Sequence, residues 1–148
     1  MPFQACLTDQ FFQDILNGVH QPGDSYKIAL YKQADAADKN ASLVSYNTTG
    51  ELPTAGNYKQ GGLALAGFTV GKLADGGAYL DWSADPVWKN ASFSADAAVI
   101  YNASRSNKAL AVLGFGTTTA TNGPFTIELP APGPGSIIAI TRAITVPA

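Results

Sequence analysis

The sequence is short of the residues that chemistry at neutral pH most often recruits. Among 148 residues there is one His, one Cys and one Met, and Met1, Cys6 and His20 all precede residue 21. Catalysis near pH 7 draws mainly on His, Cys or a metal bound by them, and residues 21–148 contain none of the three. A zinc site, which needs several His or Cys ligands, is excluded. One cysteine cannot close an intrachain disulfide, so stability must come from packing, and Cys6 is expected as a small buried or half-buried apolar residue. Charge is scarce as well. Only 14% of residues are charged, the net charge is −2, and the nine Lys and Arg are scattered singly, which leaves no basic stripe for nucleic acid. No run approaches the ~18 apolar residues of a membrane span. The opening Met1-Pro-Phe-Gln-Ala-Cys-Leu-Thr-Asp lacks the basic and apolar regions of a signal peptide, so synthesis in the cytoplasm and no membrane partner are expected.

What is present is a series of short apolar runs bounded by Gly, Pro, Asn, Ser and Thr. Tyr26 to Gln33 alternates Tyr26, Ile28 and Leu30 with Lys27, Ala29 and Tyr31, a strand with one buried face. A weaker strand follows near Leu43 to Tyr46, and Asn47 to Gly62, rich in Gly, reads as a surface excursion. In Leu63 to Val70 the large residues change parity, which a bulge near Gly67 would repair. Asp75-Gly76-Gly77 then supplies a hairpin turn into Ala78 to Trp82. Val87-Trp88 reads as a short edge segment. Ala97 to Tyr101 and Ala109 to Phe115, joined by polar 102–107, should pair antiparallel as central strands covered on both faces. Thr117 to Asn122 reads as a loop, Phe125 to Leu129 as a strand, Pro130 to Gly135 as a rigid linker and Ser136 to Thr145 as the last strand. The expectation is a single all-β domain over 1–148, an antiparallel β-sandwich with jelly-roll-like character: an N-terminal helical arm at 1–24 and a β body at 25–146.

The arm holds the one helical pattern, Thr8 to Gly18. Thr8 or Asp9 can cap it, Gly18 can stop it, and Phe11, Phe12, Ile15, Leu16 and Val19 share a face. That face either closes one end of the core as a lid or docks on a neighbouring subunit. Phe3, Phe11, Phe12, Ile15, Leu16 and Trp88 are the candidate interface residues.

Sites of chemistry are hard to assemble. Asp75, Asp81, Asp85 and Asp96 could offer oxygen to calcium, but no EF-hand spacing appears and solvated turn aspartates explain them. Glu51 and Glu128, the only glutamates, have no reason to face each other as a glycosidase pair. His20 ends a helix with no obvious acid partner. The Gly pairs lack the sequence around them that a phosphate loop needs. Asn40, Asn47, Asn90 and Asn102 each begin an N-x-S/T triplet and read as turn chemistry at strand ends. Tyr79, Trp82, Trp88 and Tyr101 could line a sugar platform, or fill the core or an interface. No catalytic residue, metal or cofactor is therefore expected.

The order of segments carries a resemblance. Lys27-Ile-Ala-Leu-Tyr31, Gly61-Gly-Leu-Ala-Leu65, Ala78-Tyr-Leu-Asp-Trp82, Val87-Trp88, Ala97-Ala-Val-Ile-Tyr-Asn102 and Lys108-Ala-Leu-Ala-Val-Leu-Gly-Phe115 together resemble small structural proteins of tailed bacteriophages, over roughly Tyr26 to Ile140. The resemblance implies a non-enzymatic virion protein in the phage head, made in the host cytoplasm. Its expected role is a capsid cement or decoration protein, with the major capsid protein and other copies of itself as partners in a homo-oligomer. A neck or tail-fibre component, or a carbohydrate-binding β-sandwich module, are the alternatives.

Overall fold

The computed structural model describes residues 4–32, 35–130 and 135–141. In chain order the elements are β1 (Gln4–Leu7), α1 (Asp9–Leu16), β2 (Tyr26–Tyr31), β3 (Leu63–Ala64), β4 (Ala66–Lys72), β5 (Gly77–Ala84), β6 (Val87–Asn102), β7 (Lys108–Thr126) and β8 (Ile138–Thr141). They form two antiparallel sheets, one ordered β1-β7-β6-β2-β3 and one β4-β5-β8. The expected all-β sandwich with one short helix is thus the fold. The division into five and three strands, built around one long β6–β7 hairpin, gives the jelly-roll description no support.

The β6–β7 hairpin is the centre of the larger sheet. Its turn closes through Arg105 N–H to the Asn102 carbonyl and Lys108 N–H to the Arg105 carbonyl, with Ser106 and Asn107 at positive φ (52° and 56°). Next to the turn, Ala97 to Tyr101 and Ala109 to Leu113 are buried throughout, because the sheet is covered on both faces. On one face Tyr26, Ile28, Leu30, Ile100 and Leu113 meet Trp82 and Ile138 of the smaller sheet. On the other, Ala29, Tyr31, Val99 and Val112 lie under Ala36 and Leu43. β2 therefore has two buried faces, not the expected one, because the polar-looking segment after it folds back as its cover.

Five other expectations change. Val87 and Trp88 form no separate short segment: they open the long strand β6, paired with Thr126 and Phe125. Thr117 to Asn122 is strand within β7, with Thr118, Thr119 and Ala120 paired with Ala95, Ser94 and Phe93 on β6, where β-branched threonines suit the pleat. The register shifts at Ala95/Ala97 and between Trp88 and Phe93 absorb the bends that Gly116 (φ 74°), Asn122 (φ 49°) and Asn90 (φ 52°) introduce. Asn90 accordingly marks a bulge inside a strand. No bulge repairs the parity change in 63–70. The β4–β5 register is the same on both sides of Gly67, and the change falls where the chain leaves one sheet for the other, Leu63–Ala64 pairing with β2 and Ala66–Lys72 with β5. The weak strand at Leu43 to Tyr46 reduces to one bridge, Ser45 with Lys108.

The hairpin turn does lie at Asp75-Gly76-Gly77, both glycines at positive φ (99° and 112°). The last strand spans Ile138–Thr141, while residues 142–145 and most of the proline linker, 131–134, lie outside the described residues. A Cβ at Gly62 would lie 1.9 Å from the Ile28 carbonyl oxygen, at φ +79°. Gly62→Ala should therefore cost about 2 kcal/mol or more, combining left-handed strain with displacement of β2, read as a lower urea midpoint.

Candidate interaction surface

The helix is fastened before it is packed. Thr8 caps α1, its hydroxyl accepting from Phe11 N–H at 3.0 Å and donating to the Ala109 carbonyl at 2.8 Å. The backbone N–H of Thr8 bonds the Leu110 carbonyl, so the first turn is pinned to β7. At the other end Gly18 takes φ 63°, with Gly18 N–H on the Ile15 carbonyl and Val19 N–H on the Asp14 carbonyl, the paired bonds of a Schellman stop.

Those anchors decide which face turns inward. Phe11 is fully buried, and three residues on the same face brings in Asp14, also buried. Phe12 (49% exposed), Ile15 (37%) and Leu16 (88%) stay outside. The lid is consequently made by Phe11 alone. Of the other candidate interface residues, Trp88 is a core side chain packed edge-on against Phe93 and Phe125, and Phe3 lies outside the described residues. Burial removes Phe11 and Trp88 from any surface offered to a partner.

Beside the helix the sandwich is open. Phe11, Ile15 and Val19 form one wall of an apolar cleft of about 180 Å³, and Val70, Leu80 and Ile140 of the smaller sheet form the other. Val70 is 59% exposed and Ile140 41%. Phe12 and Leu16, on the same helix as Ile15, are exposed as well.

The polar groups behind the helix face one another. Asp14 receives Gln10 Nε2 at 2.7 Å, and lies 3.3 Å from His20 Nε2 and 3.4 Å from Lys108 Nζ. The other His20 nitrogen, Nδ1, meets Asn102 Nδ2 at 3.0 Å, and Asn102 also donates to Asp24, which Arg105 holds at 2.9 Å. His20 thus has the acid partner that its sequence position concealed. The ring is stacked on Phe11, and burial, opposed by Asp14, lowers its pKa. The Arg105 guanidinium leads in holding Asp24 down at about 2. With both ring nitrogens turned onto protein groups, His20 is a brace between α1 and the end of β6.

A second polar centre sits in the supposed surface excursion. Glu51 is buried and accepts from Tyr58 hydroxyl, Tyr46 hydroxyl and Gly61 N–H, each at 2.7 Å. Tyr58 hydroxyl in turn accepts from Leu30 N–H, and Tyr101 donates to the Gly61 carbonyl at 2.6 Å while stacking on Tyr46. Burial, then the hydrogen bond to Glu51, raises the Tyr58 and Tyr46 pKa values, and burial, then the Glu51 charge, pushes Tyr101 up to about 12. This carboxylate ties Asn47–Gly62 to β2. Glu128 is exposed.

The remaining candidates resolve in the same way. Among the described residues no group of three or more His, Cys, Asp or Glu could hold a metal ion. Asp81 is no solvated turn residue: it is buried in β5, its Oδ1 accepting from Trp82 N–H, and burial raises its pKa. Trp82, Trp88 and Tyr101 are buried, so no sugar platform forms with Tyr79. Cys6 is exposed rather than half-buried, on β1 at the edge of its sheet. The turn reading of Asn40, Asn47 and Asn102 holds, each Oδ1 accepting the N–H two residues on. No helix among the described residues is long and apolar enough to cross a membrane.

Compared with protein-family models, curated proteins and solved structures, the chain matches none. What its own geometry presents is exposed apolar surface on α1 and in the cleft beside it. The helix shoulder of Phe12, Ile15 and Leu16 and the cleft beside it join apolar area to a rigidly anchored frame.

Proposed function

We propose that the chain is a structural protein of a bacteriophage virion, a capsid cement protein that acts by burying surface on the head shell. The observation that carries this reading is the anchored helix with Phe12 and Leu16 turned outward. Two large apolar residues one turn apart, on a helix fixed at both ends, form a pre-ordered contact that loses little entropy on binding. Low charge and the order of segments from Tyr26 to Ile140 fit the same role. The partner is the major capsid protein, with copies of this chain arranged by the symmetry of the shell. Neck and fibre placements remain alternatives that copy number separates.

Quantitative mass spectrometry of purified virions is the direct test: hundreds of copies per particle fit cement, a handful fits a neck or fibre part, and absence from particles refutes a virion role. At the residue level, Phe12→Ser with Leu16→Ser should weaken co-sedimentation with heads by about 2 kcal/mol, roughly 30-fold, while melting of the free protein stays unchanged. Equal loss of melting temperature and attachment would instead make this face part of the fold.

A further inference from the structure

His20 is the one histidine of the chain, and its surroundings admit a single neutral form of the ring. The amide of Asn102 is fixed from both ends, its Oδ1 accepting from Ser104 N–H at 3.0 Å and its Nδ2 donating to Asp24 Oδ2 at 2.9 Å. Nδ2 is therefore the atom that meets His20 Nδ1 at 3.0 Å, and since an amide nitrogen can only donate, Nδ1 must accept. The ring proton is left to Nε2, 3.3 Å from Asp14 Oδ2. A second proton, on Nδ1, would set one N–H against another. We propose that His20 is an acid-released latch: protonation of Nδ1 ends the bond from Asn102 and frees the C-terminal half of α1 and residues 17–20 from the end of β6.

The groups that face the ring act on that second proton in both directions. Asp14 of α1 favours it, but this carboxylate already faces Lys108 Nζ of β7 at 3.4 Å and takes Gln10 Nε2 at 2.7 Å, so a new buried cation would share it with an older one. Asp24 favours the proton too, though it is bonded to Asn102 and lies 2.9 Å from Arg105. Asn102 of β6 opposes it directly. β2 brings Tyr26, whose phenol donates to the Gln21 carbonyl and is raised by burial, and β5 brings Tyr79, which lines the same cleft. Burial, aided by Lys108, outweighs the two carboxylates and puts the His20 pKa below the ordinary 6.5. A freed ring takes up the proton that the latched ring resists. The latch consequently holds above pH 6.5 and weakens as the pH falls below it, by up to about tenfold per pH unit until the latched ring titrates as well. Asp24, held at about 2, stays ionised through that range, so Asp24 and Thr8 remain as two pins and the piece between them moves. His20 stacks on Phe11, and both line the cleft beside α1, so release widens the cleft and uncovers Phe11. The inference stands apart from the virion reading, since it concerns the isolated chain.

One histidine gives one imidazole signal, so nitrogen and carbon NMR of the full chain follows this ring directly. At about pH 7.5 the proton should sit on Nε2 with Nδ1 bare, and the ring should titrate below 6.5. Amide exchange reads the release. Val19 N–H, bonded to the Asp14 carbonyl, and Asn17 N–H, bonded to the Gln13 carbonyl, should lose protection relative to intrinsic exchange as the pH falls, by up to about tenfold per unit. Thr8 N–H, bonded to the Leu110 carbonyl, should keep its own. His20→Gln offers an acceptor and a donor at every pH, so its protection at Val19 should stay level from about pH 7.5 to about pH 4.5. A proton on Nδ1 at neutral pH would overturn the proposal, as would a ring that titrates at 6.5 or above or stays neutral down to about pH 4.5. So would protection at Val19 that does not move as the ring titrates, an equal loss at Thr8, or the same loss in His20→Gln. Should His20→Gln fail to fold, the contrast between Val19 and Thr8 across the ring's own titration in the parent chain decides.

Discussion

Phe11→Ala is expected to destabilise the fold by about 3–5 kcal/mol, lowering the melting temperature by roughly 10 °C. The ring is fully buried, belongs to the larger core cluster and stacks on His20 at 5.7 Å. Removing it would join the vacated volume to the cleft that Phe11 already lines, and would admit water to the Asp14–His20 contact. Urea unfolding followed by fluorescence of Trp82 and Trp88, both buried, reads the change. Leu16→Ala, five residues on in the same arm but 88% exposed, should stay within about 0.5 kcal/mol of the parent. Similar values for the two substitutions would contradict the orientation of α1.

Glu51→Leu should be of comparable size, about 3–5 kcal/mol, for a different reason. The carboxylate accepts three hydrogen bonds, and an aliphatic side chain of similar bulk leaves Tyr58 hydroxyl, Tyr46 hydroxyl and Gly61 N–H without it. A buried donor deprived of its partner costs about 1–3 kcal/mol. Glu51→Gln should recover most of the loss. Its carbonyl oxygen can still serve Tyr58 and Gly61, which share Oε1, and the Tyr46 hydroxyl can turn to accept from the new amide. Equilibrium unfolding of the pair gives the comparison, and a Gln variant as unstable as the Leu variant would show that charge, rather than acceptor geometry, matters.

The parts of the fold legible in the sequence are those whose signal is local. Gly76-Gly77 between two alternating runs announced the β4–β5 hairpin, the 102–107 connector announced the β6–β7 pair, and Thr8 and Gly18 bounded the helix. What stayed hidden depends on partners distant in sequence. Glu51 in a glycine-rich stretch looks solvated until Tyr46 and Tyr58 converge on it, and Asp81 looks like a turn residue until β5 carries it inside. Thr117 to Asn122 reads as a loop on polarity, although its threonines are β-branched and become strand once β6 lies alongside.

The surface itself was half legible. A run of large apolar residues on a helix says that burial is needed, but the rotation of the helix is set by Thr8 bonding to Ala109, 101 residues away. That rotation chooses Phe11 and Asp14 for the interior and leaves Phe12, Ile15 and Leu16 outside. The one available hint lay in Asp14, three positions after Phe11, since a carboxylate on an inward face calls for a basic partner such as His20 or Lys108.

The same bond between Thr8 and Ala109 has a consequence for how the protein comes into being. At roughly 5–20 residues per second, a ribosome that has made Thr8 needs about 5–20 s more to make the strand that receives it. Through that interval β1 and α1 have no sheet to join, and Phe11 is as uncovered as Phe12 and Leu16. The nascent arm therefore waits, adhesive along its whole apolar length, for the β6–β7 hairpin to emerge, and chain synthesis itself sets how long a chaperone or a neighbouring nascent chain has to reach it first.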